Sequence, residues 1–138
     1  MNEVIIIALI IFLIFSFSYI QNKRFQYKLR TLNESRPDLD RAEYVNILVQ
    51  KGFDKLHAEV VHDKIREFAQ MDDFSIYPED DLPNLYRMDD MDIMEMVDKI
   101  CKALHLRRAE EVDFNELNEK IKVVNAEYIL MLTKKLAA

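Results

Sequence analysis

The chain has 138 residues, a formal net charge of −6 and a single glycine, Gly52. One glycine excludes glycine-rich phosphate loops and dinucleotide fingerprints, because both need several backbone positions that only glycine tolerates. The single cysteine, Cys101, excludes an intramolecular disulfide and fits a reducing compartment.

The N-terminal segment is apolar. Val4–Ile20 is an uncharged run of 17 residues that spans roughly 25 Å as a helix, enough to cross a thin bilayer. A cleaved signal peptide would need a basic start and a small-residue cleavage site, whereas this N-terminus carries Glu3 and no Lys or Arg before the run. We therefore expect residues 1–20 to be a retained transmembrane anchor.

Residues 21–37 are predicted to form a basic juxtamembrane linker. They contain five basic residues against one acid, Glu34. The basic residues are Lys23, Arg24, Lys28, Arg30 and Arg36. The positive-inside rule then predicts an inner (plasma) membrane protein with its N-terminus outside and residues 21–138 in the cytoplasm.

Residues 38–138 predict a small four-helix cytoplasmic domain, which makes the chain all-α. The expected helices cover about residues 40–51, 54–71, 89–106 and 113–135. Asp38 or Asp40 suits the N-cap of the first of these helices, and Gly52 suits its left-handed C-cap. Residues 72–88 lack helical periodicity but contain scattered apolar residues, which indicates a structured loop.

The last predicted helix carries a heptad pattern. Asp113 and Glu116 have the spacing of an N-terminal capping box. Apolar residues follow at alternating spacings of three and four: Phe114, Leu117, Ile121, Val124, Tyr128 and Met131. Such a stripe packs either on its own domain or on a second copy, so self-association through these residues is one hypothesis.

Acidic residues dominate the segment 72–98, where ten acids stand against Arg87 alone. Nucleic acid is therefore disfavoured as a ligand, and a basic protein partner is the expected counterpart. An EF-hand calcium loop is excluded because the segment has no glycine. The predicted docking face consists of Asp89, Asp90, Asp92, Glu95 and Asp98.

Soft metal ligands provide the alternative function. The four methionines Met88, Met91, Met94 and Met96 have a spacing that could bring thioethers together for Cu(I). Cys101 and His105 follow on the same predicted helix. Methionine is also an ordinary gap-filler in helix packing, and the spacing of a four-ligand zinc site is absent.

The stretch "LYRMDDMDIMEMV" resembles acyl carrier proteins, in which a serine at the start of the second helix bears phosphopantetheine. The resemblance covers roughly residues 58–130 and includes the preceding helix and the long acidic loop. Asp90 stands at the serine position, so attachment of the prosthetic arm is excluded there. The resemblance implies a carrier-like helical fold whose acidic second helix is read by basic partners.

We therefore expect a membrane-anchored, non-enzymatic interaction module that presents an acidic face to the cytoplasm. The alternative is a metal-binding or metal-responsive domain that uses the methionine and acid cluster. No catalytic pair and no cofactor are expected, since no serine lies in a nucleophile motif and no carboxylate pair stands out.

Overall fold

A computed structural model of the chain describes residues 2–69 and 74–138. Every regular element in these two ranges is a helix, which confirms the all-α fold. The seven helices are α1 (Asn2–Ser35), α2 (Arg41–Gln50), α3 (Lys55–Ala69), α4 (Leu82–Tyr86), α5 (Asp90–Ala103), α6 (Glu111–Lys120) and α7 (Ala126–Ala137).

The chain divides into two compact units, Met1–Pro37 and Asp38–Ala138. In the first unit, α1 is long and apolar enough to cross a membrane, with a mean hydropathy of 2.6 over its most apolar window and none of that window buried. The helix does not end with the apolar run. It continues through the basic residues to Ser35, so most of the expected linker 21–37 is helical.

The second unit is built around α3, which packs against α2, α5 and α7, while α6 packs against α7. The apolar faces of α2, α3, α5 and α7 meet in one core, since helices with a single apolar stripe must bury it against one another. Its largest fully buried side chains include Tyr44, Leu48, Ile65, Met96, Ile100, Tyr128, Ile129 and Leu132.

Local signals set the helix boundaries in this unit. Asp40 caps α2 through a reciprocal pair of bonds with Glu43, and its carboxylate accepts the Glu43 N–H at 2.8 Å. Gly52 follows α2 with φ of +96°, the left-handed region expected for it. Asp89 caps α5 in the same way as Asp40 caps α2. The expected end of the helix after Gly52, at Met71, lies outside the described residues.

The prediction of one helix over 113–135 is wrong. The chain forms α6 and α7, separated by residues 121–125, and Ile121 is already extended with φ of −124°. The backbone of this link bonds elsewhere, because Leu82 N–H donates to the Val124 carbonyl at 2.9 Å and Ala126 N–H donates to the Pro78 carbonyl at 3.2 Å. These bonds replace the helical ones that a continuous helix would make.

Two further boundaries differ from expectation. Asp113 is not the N-cap of its helix, since α6 begins after Glu110, and the Asp113 carboxylate accepts the Glu110 N–H at 2.9 Å. The short helix α4 lies inside the expected loop and is capped by Asp81. The second unit therefore contains six helices in its described part, against the four expected.

The segment between α3 and α5 is held to the core, as expected of a structured loop. Ile76, Leu82 and Tyr86 are buried along its described part. Asp80 is also buried, and it accepts hydrogen bonds from the Tyr86 hydroxyl and from the Tyr77 N–H. These contacts fix the direction in which the chain enters α5.

Candidate functional site: the outer face of α5

One side of α5 faces the core and the opposite side faces solvent. Ile93, Met96, Val97 and Ile100 are buried. On the opposite side Asp90 and Glu95 are exposed, Met91 is 78% exposed and Met94 is 57% exposed. The positions 90, 91, 94 and 95 are helical neighbours. We call these four residues the α5 outer face.

Two of the predicted docking acids serve the helix itself. The Asp89 carboxylate accepts the Asp92 N–H at 2.8 Å, and the Asp92 carboxylate accepts the Asp89 N–H at 3.1 Å. This reciprocal capping satisfies backbone donors that the first turn leaves unpaired. Asp89 and Asp92 therefore start the helix, and their charges are partly committed to the N-terminal dipole.

The acids further along α5 form ion pairs. Asp98 lies 3.1 Å from the Lys102 ammonium and 3.5 Å from the Arg108 guanidinium. Glu95 lies 3.6 Å from the Lys99 ammonium. Asp98 is thus neutralised within the domain, whereas Asp90 forms no ion pair among the described residues. The five predicted acids therefore do not form one face of equally exposed and equally free carboxylates.

A groove of about 460 Å³ lies beside these acids, between the end of α3 and the start of α5. Its walls include Phe68, Asp92 and Glu95. The Lys99 ammonium lies 5.0 Å above the centroid of the Phe68 ring and 3.6 Å from Glu67. The local environment therefore already holds one cation between carboxylates and an aromatic face.

The heptad residues do not form a continuous seam. Leu117 and Tyr128 are buried in the domain, and Met131 is 40% exposed. Phe114, Ile121 and Val124 are half-buried. Since the break at residues 121–125 changes the chain direction between α6 and α7, the spacings that define a heptad do not apply across it.

The structure does not bring the candidate metal ligands together. Met88 and Met96 are buried, while Met91 and Met94 point outward. Cys101 is buried, and this burial raises the pKa of its thiol, which opposes the thiolate form that binds metals. Among the described residues, no group of three or more His, Cys, Asp and Glu side chains is placed to hold a metal ion.

Sequence reasoning missed an ion pair between the α5–α6 connection and α6, in which only the carboxylate is buried. The Arg107 guanidinium donates to both oxygens of Asp113 at 2.9 Å, and the Asp113 side chain is only 3% exposed. These bonds, together with the Glu110 N–H, hold the pKa of Asp113 well below its usual range. The only available signal was the six-residue spacing of an Arg and an Asp across a turn, which has no specificity.

Comparison with protein-family models, curated proteins and solved structures finds no match to the chain.

Proposed function

We propose that the protein is a membrane-anchored, non-enzymatic adaptor whose α5 outer face docks a basic protein segment. The observation that supports this is the exposure of Met91 and Met94 between Asp90 and Glu95 on a helix whose other side is buried. Large exposed apolar side chains beside charged groups are typical of interaction sites, and of the two acids Asp90 forms no ion pair among the described residues whereas Glu95 pairs with Lys99. Methionine adapts its shape to different partner surfaces.

The chemistry of the face defines the partner. Asp90 and Glu95 attract Lys or Arg, and the two thioethers suit an apolar side chain between those cations. An amphipathic helix with basic residues at the edges of its apolar stripe has this arrangement. Nucleic acid does not suit the face, because its phosphates would meet carboxylates.

The location follows from α1. A helix of 34 residues is about 51 Å long, whereas the hydrocarbon core is about 30 Å thick. Its apolar N-terminal half spans the bilayer and its basic half extends from the inner surface as a helix. The positive-inside rule, applied to the basic residues, supports an orientation with the N-terminus outside and Asp38–Ala138 in the cytoplasm.

This orientation is tested by cysteine labelling in a Cys101→Ala background. A new cysteine at Asn2 should react with a membrane-impermeant maleimide on intact cells, and one at Asn115 should react only after lysis. Labelling of Asn115→Cys on intact cells would reverse the orientation.

The resemblance to acyl carrier proteins is part of the proposal. The order of α3, an acidic segment and α5 supports this proposal, whereas the chain adds the short α4 within that segment and has two helices, α6 and α7, where the resemblance implies one. Asp90, at the position of the modified serine, is exposed on the α5 outer face. We therefore propose a carrier-like domain that keeps the docking helix and uses it without a prosthetic group.

Site-specific photocrosslinking tests the docking face. A benzophenone amino acid is placed at Met91 or Met94 in the full-length protein in its native membrane. The control position is Val112 in α6, which is 53% exposed. We expect adducts from 91 and 94 that are absent from 112, and we expect the crosslinked segment of the partner to be basic.

Charge reversal then tests the role of the acids. The double variant Asp90→Lys/Glu95→Lys should lose these adducts, because two attractive contacts become repulsive. The matched control is Glu111→Lys/Glu119→Lys, which changes the net charge equally and alters the first residue of a helix, as Asp90→Lys does. Equal adducts from both double variants at low salt would exclude the docking face.

A further inference from the structure

A second surface lies at the other end of α3 from the α5 outer face. Two adjoining cavities of about 280 and 540 Å³ share Gly52, Phe53 and Lys134 in their walls. Leu130 and Met131 of α7 complete an apolar floor. We call this surface the Gly52 groove.

The Gly52 groove is lined by three lysines and one carboxylate side chain, so its rim is basic on balance. Lys51 and Lys135 lie on it and pair within the domain with Glu127 and Glu116. Lys134 is exposed and forms no ion pair among the described residues. The groove thus combines an apolar floor with one free ammonium group, whereas the α5 outer face combines two thioethers with the free carboxylate of Asp90 and the carboxylate of Glu95, which pairs with Lys99.

The two surfaces of one copy cannot reach each other. Phe68 and Ala69, at the end of α3, line the groove beside α5, while Asp54 and His57, at its start, line the Gly52 groove. A helix of 15 residues separates these ends by about 21 Å. Contact between such surfaces therefore requires a second copy of the chain.

We infer that the α5 outer face of one copy docks into the Gly52 groove of a second copy. Asp90 and Glu95 then face Lys134, and Met91 and Met94 cover Phe53 and Met131. The inference rests on the proposed docking role of the α5 outer face and names the Gly52 groove of a second copy as the basic surface that this face binds.

The geometry determines the kind of assembly. Because the two surfaces differ, the first contact leaves a free groove on one copy and a free face on the other. Such heterologous contacts continue into open chains or close into rings, whereas an isologous dimer stops at two copies. A contact made by four side chains of one copy is small and therefore weak in solution. Confinement of every copy to one membrane by α1 raises the effective concentration of each copy at its neighbour.

A charge-swap experiment tests the contact in phosphatidylcholine vesicles that contain the full-length protein. A benzophenone amino acid at position 91 reports the contact by crosslinking. We expect wild-type adducts to map to the second copy's residues 51–54 or 130–135 and to form a ladder beyond two copies. Lys134→Glu should reduce the adducts by at least about tenfold, because the contact becomes repulsive.

A mixture of the two charge variants should restore the contact that each variant lacks alone. Asp90→Lys/Glu95→Lys alone should also form no ladder, since its basic face meets a basic groove. Crosslinking should return when this variant is mixed with Lys134→Glu copies that carry the benzophenone, because each copy then meets a groove of opposite charge. The matched control for Lys134→Glu is Lys120→Glu, an exposed lysine at the end of α6, which should leave the ladder unchanged.

Three outcomes would overturn the inference. They are an unchanged ladder in Lys134→Glu, wild-type adducts that map away from the groove, and a wild-type product that stops at two copies. If the native-membrane adducts from position 91 still depend on Asp90 and Glu95 but identify another basic protein, the adaptor proposal stands and the self-contact falls. If neither charge variant changes any adduct, both fall.

Discussion

Replacement of Asp113 by Asn should destabilise the second unit strongly. The carboxylate accepts two hydrogen bonds from Arg107 and one from the Glu110 N–H, all at 2.9 Å. Hydrogen bonds to charged groups contribute about 1.5–3 kcal/mol each, and the amide keeps at most part of this set, so we expect a loss of about 2–4 kcal/mol. Arg107 is half exposed and can turn to water, which limits the loss.

The matched control is Asp63→Asn. Arg41 donates to both oxygens of Asp63 at 2.8 and 3.0 Å, but the Asp63 side chain is 52% exposed. Exposed ion pairs contribute about 0–1 kcal/mol, so this variant should change stability little. Urea unfolding of the full-length protein in detergent micelles, followed by tyrosine near-ultraviolet circular dichroism, measures both. Equal losses in the two variants would refute the assigned role of burial.

The pH dependence gives a second readout of the same pair. Because the pKa of Asp113 is lower in the folded protein than in the unfolded chain, its contribution is complete above the unfolded value of about 3.9. It is lost as the pH falls below that value. The stability difference between wild type and Asp113→Asn should therefore be largest near neutral pH and should shrink below about pH 4.

Four other variants test the fold by the same urea assay. Gly52→Ala should cost about 1–2 kcal/mol of stability because alanine is strained at φ of +96°. An added methyl group would meet no atom within 4 Å, so no clash contributes to this cost, and an unchanged unfolding midpoint would contradict the prediction. Tyr44→Phe should be neutral or stabilising by up to about 1 kcal/mol, since the buried hydroxyl has no hydrogen-bond partner among the described residues; a clear loss would reveal one. Ile100→Ala, in the core, should lower the free energy of unfolding by about 2–5 kcal/mol. Met94→Ala, at an exposed position of the same helix, should change it by no more than about 0.5 kcal/mol. Similar losses in the two variants would contradict the assigned faces of α5.

Features decided by neighbouring residues were predictable from the sequence. The starts of α2 and α5 follow from aspartates that accept N–H groups three residues later, and the end of α2 follows from the only glycine. The apolar character of α1 also needs no tertiary information. These features depend on short spacings and backbone preferences, which the sequence contains directly.

The break between α6 and α7 was not predictable from periodicity. Its bonds connect residues 124 and 126 to Leu82 and Pro78, which lie 42 and 48 positions earlier. Val123 and Val124 are β-branched and Asn125 caps α7, which was the one local hint. The heptad pattern considers only the spacing of apolar residues. It therefore predicted a continuous helix through residues 121–125, whose backbone forms hydrogen bonds with a distant segment.

The start of the helix that carries the predicted acids was predictable, but the ion pairing of those acids was not. The position of the acids at the start of α5 was correct, since Asp89 begins that helix. Which acids remain free depends on pairing with Lys99, Lys102 and Arg108, and Arg108 lies on a different segment. The exposure of the two methionines likewise depends on which side of α5 the core occupies.

The central position of α3 has a consequence for synthesis of the protein. Its apolar face is completed by α7, which begins at Ala126, whereas α3 ends at Ala69. At about 5–20 residues per second, a ribosome needs on the order of 3–11 s to produce the intervening chain. During that interval α3 exposes Val61 and Ile65, which the finished domain buries completely. Nascent chains of this protein should therefore be clients of ribosome-associated chaperones until α7 emerges.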